Sequence, residues 1–253
     1  MDSIRSILLC SVLFCAVAVS AQDFSSFAVS MPRLKIVFSK LFIDTPEFSA
    51  DGFIGTFTTN NILVSKMTMN FAVTSDRMRQ DIDVMNTSIP LAWREAARKA
   101  HIDKIVVITQ VDTRKVYLVF PGVQAYTEYP ISDAVLAEMN KRANDVSIER
   151  KEHEQQMFDN HLCIPTTLVV REANRPPEAA LLYCATDLQK FPIMLDIFEP
   201  TSITRFVFHN VQVKTPDASL FEVPSNYTEF PDAAAVSRYA LNELQNNREN
   251  NTQ

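Results

Sequence analysis

Phe206-Val207-Phe208-His209-Asn210-Val211-Gln212-Val213-Lys214-Thr215-Pro216-Asp217-Ala218-Ser219-Leu220-Phe221-Glu222-Val223-Pro224-Ser225-Asn226-Tyr227 is the stretch that decides the fold. Residues up to Lys214 read as a long strand, Pro216-Asp217 as a turn, and Leu220 to Pro224 as the piece that closes the sheet. This places the last strand of a large sheet near the end of the chain. The stretch carries no residue with an obvious chemical role, so it speaks of architecture rather than of a reaction.

Working back from it, strands are expected at 162–171, 179–186, 193–198 and 203–214. Further upstream Met67, Met69, Phe71 and Val73 alternate with Thr68, Asn70 and Ala72. Met78, Ile82 and Val84 then alternate with Arg77, Arg79, Asp81 and Asp83. Period two of this kind marks two half-buried antiparallel strands, with Ser75-Asp76 turning between them. Ile105 to Ile108 is apolar without alternation, as in a central strand covered on both faces, and 116–120 pairs back to Ala125-Tyr126 across Pro121-Gly122. Helices are expected at 31–43, at 90–100 with Trp93, and from Ser132-Asp133 onward with Val135, Met139 and Ala143 on one side. About eight strands with little room for crossovers predict a strongly curved antiparallel sheet with helices over one face, an α+β fold. With only three glycines, turns must rely on Asn, Asp and Pro.

The amino terminus points to export. Arg5 precedes the apolar run 7–19, and Val19-Ser20-Ala21 suits cleavage before Gln22. The run is shorter than the roughly 20 residues a bilayer core requires, so no membrane anchor is expected after cleavage. Loss of 1–21 removes Asp2 and Arg5 together, so the mature chain keeps the net charge of −6 and has no basic nucleic-acid footprint. Cys163 and Cys184 remain as a pair in an oxidising compartment and are expected to be bonded, which closes a loop worth on the order of 3 kcal/mol. A polar tail follows a helix capped by Asp232 with Val236, Tyr239, Ala240 and Leu244 in a stripe.

Several motifs recur in one order: Arg77-Met78-Arg79-Gln80-Asp81, Lys115 to Pro121 with Ala125-Tyr126, Ala185 to Ile193, and Pro216 to Tyr227. Together they resemble a secreted bacterial family of unknown function, similar in fold to the periplasmic lipoprotein carriers LolA and LolB. The resemblance covers about 51–230. It implies an incomplete antiparallel barrel whose apolar interior receives acyl chains or a lipidated partner. Asn160 stands where a glycine turn is expected, and Cys184 where an aromatic is expected. The resulting organisation is a signal peptide at 1–21, a helical segment at 22–50, the LolA-like half-barrel at 51–230 and a helical, then disordered tail at 231–253.

Met67, Met69, Phe71, Met78, Phe206 and Phe208 are the candidate ligand-lining residues, since flexible thioethers and rings on neighbouring strands suit varied apolar ligands. The same stripe also reads as ordinary core packing. No phosphate loop, His-Glu-x-x-His, paired Cys-x-x-Cys or Gly-x-Ser-x-Gly element occurs, so no catalytic, cofactor or metal residues are assigned. The expected role is a non-enzymatic secreted or periplasmic protein binding a hydrophobic molecule or lipidated protein. The alternative is an envelope interaction protein whose core is filled by its own side chains.

Overall fold

The computed structural model describes residues 42, 45–137, 146–172 and 177–250. The expected leader, the helix at 31–43 apart from Phe42, and the helix expected from Ser132 beyond residue 137 lie outside the described residues.

Among the described residues one sheet of thirteen strands dominates, against the eight or so expected. Its first half is a meander: β1 (Phe48–Thr58), β2 (Leu63–Val73), β3 (Arg77–Thr87), β4 (Lys104–Gln110), β5 (Lys115–Phe120) and β6 (Ala125–Pro130). Its second half comprises β7 (Val146–Glu152), β8 (Gln156–Phe158), β9 (His161–Glu172), β10 (Glu178–Ala185), β11 (Phe191–Phe198) and β12 (Ser202–Gln212). β12 returns to pair with β1, so the strand order is β6-β5-β4-β3-β2-β1-β12-β11-β10-β9-β7, with β8 also on β9. The path does not close on itself, which makes an incomplete barrel. Register shifts between Ser49 and Asp51, Thr56 and Phe57, Met67 and Met69, and Tyr183 and Cys184 bend the strands where the sheet must curve. β7 and β8 were not expected from the sequence: β7 is rich in charge, and β8 is only three residues long.

Alternation sends one set of side chains to the concave face. Leu182, Leu195, Phe206, Ile54 and Met67 lie side by side across β10, β11, β12, β1 and β2. β4 is buried on both faces, as its unbroken apolar run implied.

The deciding stretch ends differently from the expectation. β12 stops at Gln212 and lies mid-sheet, and residues 213–227 then form a strap across the convex face to β13 (Thr228–Phe230). Because the chain crosses the sheet before pairing again, β13 runs parallel to β6, the one parallel pair among the described residues. Phe221 anchors the strap in a second apolar cluster with Ala72, Val106, Ile108 and Val119. Arg77 bonds both Asp112 and Glu222 at 2.9 Å, Arg79 Nη1 donates to the Leu220 carbonyl at 2.9 Å, and Gln110 Nε2 donates to the Phe221 carbonyl at 2.7 Å. Arg77 and Arg79 therefore hold the strap, while Arg79 also pairs with Asp81 along the same strand face at 2.6 Å.

Among the described residues, helices flank the sheet, and 133–137 are helical as expected from Ser132-Asp133. α1 (Leu91–Lys99) buries none of its residues fully but packs Ala97 against the main core. α2 (Ala233–Asn250) is capped by Asp232, whose Oδ1 accepts from Ala235 N–H at 2.7 Å, and it buries Val236 in the main core.

Cys163 and Cys184 are not bonded to each other. Cys163 pairs with Ala185 and Cys184 with Ile164, so the two stand one register step apart on neighbouring strands and leave opposite faces of the ladder. Their Cβ vectors point apart, which a disulfide cannot bridge without moving the backbone. Burial pushes the Cys163 thiol up to about 11. Native protein should therefore leave Cys163 unmodified by iodoacetamide at roughly pH 8 and expose it only on unfolding, as read by peptide mass mapping. The raised value also means that the thiol's contribution to stability is complete below the ordinary 9.0 and is lost as pH rises towards about 11.

The left-handed turn positions include Asn61, Asn160 and Asn210, while none of the glycines has a positive φ. Asn160, at φ 65°, takes the conformation for which glycine was expected.

Candidate functional site

The concave interior has two ends. At the base, Phe42, Phe48, Phe71, Phe191 and Phe208 pack ring to ring at centroid distances such as 5.1 Å for Phe42–Phe48 and 4.8 Å for Phe48–Phe191. Gly52 makes room there, since a Cβ at that position would lie 2.4 Å from the Phe71 ring. At the other end, the mouth, lie the β1–β2 hairpin tip, the β3–β4 connection, the β5–β6 turn and the β11–β12 turn.

The structure brings all six sequence-predicted lining residues into this interior. Met67, Met69, Phe71, Met78, Phe206 and Phe208 are each between 0% and 3% exposed and belong to one apolar cluster. Phe71 and Phe208 join the aromatic base, at 5.7 Å from each other. Met67 and Phe206 stand in the row nearer the mouth, on either side of Ile54.

Three polar residues share that face. Gln80, Thr109 and Thr127 are each 1% exposed or less, and Gln80 Oε1, Thr109 Oγ1 and Thr127 Oγ1 have no hydrogen-bond partner among the described residues. Gln80 and Thr127 lie in one row with Val107 and Leu118 between them, while Thr109 sits in the next row beside Met78. The Gln80 amide is turned so that Nε2 faces Met69 Sδ at 3.5 Å. An unmade hydrogen bond of this kind costs about 1–3 kcal/mol per group. Sequence reasoning passed over them, although the signal was present: Gln80 occupies the apolar phase of the series Met78, Ile82, Val84.

Near the base, a cavity of about 40 Å³ is lined by Phe42, Thr45, Ile164, Thr166, Cys184 and Pro192. It is large enough for a water molecule beside Thr45 Oγ1, which also has no partner among the described residues. On the convex face a shallow cleft is lined by Asn70, Arg79, Asp81, Asp83 and Lys104. Its charges are matched internally, Arg79 with Asp81 at 2.6 Å and Lys104 with Asp83.

Acid–base chemistry finds little support. His153 Nε2 lies 2.8 Å from Thr167 Oγ1, His161 Nδ1 2.8 Å from Asp187, and His209 Nδ1 3.2 Å from Asp159, all in exposed settings. Among the described residues no cluster of three or more His, Cys, Asp or Glu could hold a metal ion, and no helix is long and apolar enough to cross a membrane.

No family model matches the chain, and no curated protein matches it in sequence. Solved structures do match. The chain is similar to the Mycobacterium tuberculosis lipoprotein LppX, at 7% identity and a TM-score of 0.41 over 72% of this chain and 97% of that one. It is similar to LprF from Mycobacterium bovis, at 9% identity and a TM-score of 0.40 over 78% of this chain and 97% of that one. A LolA-superfamily protein from Nitrosomonas europaea matches at 8% identity and a TM-score of 0.30, over 76% of this chain and 96% of that one. None of these structures assigns a role to a residue of this chain.

Proposed function

We propose that this is a non-enzymatic secreted or periplasmic protein, cleaved before Gln22, that binds a hydrophobic ligand in the concave interior of its open barrel. The observation that carries the reading is the set of unpartnered oxygens on Gln80, Thr109 and Thr127 within an otherwise apolar face. A core filled only by its own side chains gains nothing from them. A ligand with an apolar body and a hydrogen-bonding group, such as an acyl lipid or a lipidated partner, supplies the missing donors and covers the apolar rows. Met67, Met69 and Met78 would adapt to it, because an unbranched thioether re-packs at small cost.

The second reading is an envelope interaction protein with a self-filled core. It is favoured by the near-complete burial of the six lining candidates.

Native mass spectrometry of the purified protein, followed by solvent extraction, separates the two. A stoichiometric apolar adduct is the expected result. A clean apo mass together with refusal of a fluorescent fatty acid would overturn it. The variant Gln80→Leu/Thr109→Val/Thr127→Val sharpens the contrast. In the binding reading it retains less adduct. In the filled-core reading it leaves the mass unchanged and raises stability, since buried polar groups without partners have been removed.

A further inference from the structure

We propose that the mouth of the half-barrel docks on an anionic lipid bilayer through the β1–β2 hairpin tip and α1. The proposal rests on the ligand reading above, for which a membrane is the source or destination of the ligand.

Ile62, Leu63 and Val64 follow the Thr59-Asn60-Asn61 turn at the tip-proximal start of β2, and Ile62 and Val64 are both 63% exposed. Beside them, α1 exposes Leu91 and Trp93, the latter at 49%. Two bonds tie these elements into one rim: Lys66 N–H donates to Ser88 Oγ at 2.8 Å, and Ser88 N–H donates to the Lys66 carbonyl at 3.0 Å. Gly122 fixes the far end of the connection, since a Cβ there would lie 2.2 Å from the His101 carbonyl oxygen, so the β5–β6 turn packs directly on the segment after α1. α1 rests on the sheet through Ala97 and through Arg94 Nη1, which donates to the Met85 carbonyl at 2.8 Å, and this leaves its Leu91–Trp93 side turned to water.

Charge selects the occupant. Lys66, Arg98 and Lys99 are exposed and have no ion-pair partner among the described residues, as is also true of Lys151, Lys214 and Arg238 elsewhere on the surface, but only at this rim do such cations stand beside exposed Leu91 and Trp93. α1 holds Arg94, Arg98 and Lys99 against the single acid Glu95. A basic rim on a chain of net charge −6 is a local feature, and it surrounds exposed leucine and tryptophan. Apolar residues for the acyl boundary, a tryptophan at headgroup level and cations for anionic phosphates are the three components of an interfacial docking helix. The same end of β2 carries Met67 into the interior, four residues after Leu63, so docking brings the bilayer to the candidate binding face.

Trp93 is the only tryptophan in the chain, so its emission reports on α1 alone. Vesicles of mixed phosphatidylcholine and phosphatidylglycerol should shift that emission to the blue, and lipids brominated in the upper acyl chain should quench it. Raised ionic strength should weaken the effect, and pure phosphatidylcholine should give less of it. Ile62→Ser/Val64→Ser and, separately, Lys66→Glu/Arg98→Glu/Lys99→Glu should lose vesicle flotation while keeping the unfolding midpoint and fatty-acid uptake of the parent protein. An unshifted emission with no flotation overturns the docking proposal, and a shift that appears with protein concentration in the absence of vesicles overturns it in favour of self-association. Fatty-acid uptake without vesicle binding sinks docking alone. Vesicle binding without uptake sinks the ligand reading alone.

Discussion

Asp196→Ala is expected to lower the unfolding free energy by about 3 kcal/mol, the lower end for breaking a buried ion pair. Asp196 on β11 stands directly opposite Arg205 on β12, and the two bond bidentately at 2.7 and 2.6 Å. The Phe57 ring covers the guanidinium at 5.2 Å. Arg205 donates both bonds, which raises its pKa, and the guanidinium stays charged when Asp196 is removed because its ordinary value already lies far above neutrality. Its side chain keeps 26% exposure, which lets water relieve part of the penalty and places the cost at the lower end. Asp196→Leu/Arg205→Met should recover most of the loss, because replacing both partners by apolar groups of similar volume leaves no uncompensated charge. Urea unfolding of the three proteins checks this. A single-variant cost below about 1 kcal/mol would mean that the pair behaves as a surface salt bridge.

Phe221→Ala is expected to cost about 3–5 kcal/mol, the range for emptying a buried phenylalanine site. Phe221 is the centre of the convex cluster, and Tyr117, Tyr126, Val223 and Tyr227 pack around it. Beyond it, the strap is held by polar contacts from Arg77, Arg79 and Gln110 and by the Asp217 cap, whose carboxylate accepts from Ser219 N–H at 2.8 Å. Without the ring the strap should loosen as a unit and release β13 from β6. Limited proteolysis should then cut within 213–227, and hydrogen exchange should accelerate at Thr228 and Ala125 first. Leu220→Ala, at a side chain still exposed to water, should change stability by less than about 0.5 kcal/mol. Equal effects from the two variants would show that the strap is not anchored by Phe221.

Much of the strand content was legible because side-chain alternation is a local property of extended backbone. The phase of Met67, Met69, Phe71 and Met78 named the buried face correctly, and the pairing of 116–120 with Ala125-Tyr126 followed from the short turn between them. β7 hid behind its charges because, as an edge strand, it needs little apolar surface. The cysteines misled for a different reason. Their separation in sequence is compatible with neighbouring strands, and it is compatible with facing pairs and opposed pairs alike. One register step decides between them.

The sequence by itself determined the α+β class, the curved antiparallel sheet and the apolar face, because each depends on the order of neighbouring residues. Only the tertiary structure decided that β1 lies between β2 and β12, that the stretch after Gln212 is a strap over the convex face, and that Gln80, Thr109 and Thr127 share one buried surface. Those relations join residues as far apart as Asp51 and His209. They are chosen by how the whole sheet packs and registers, which no local window of the chain contains.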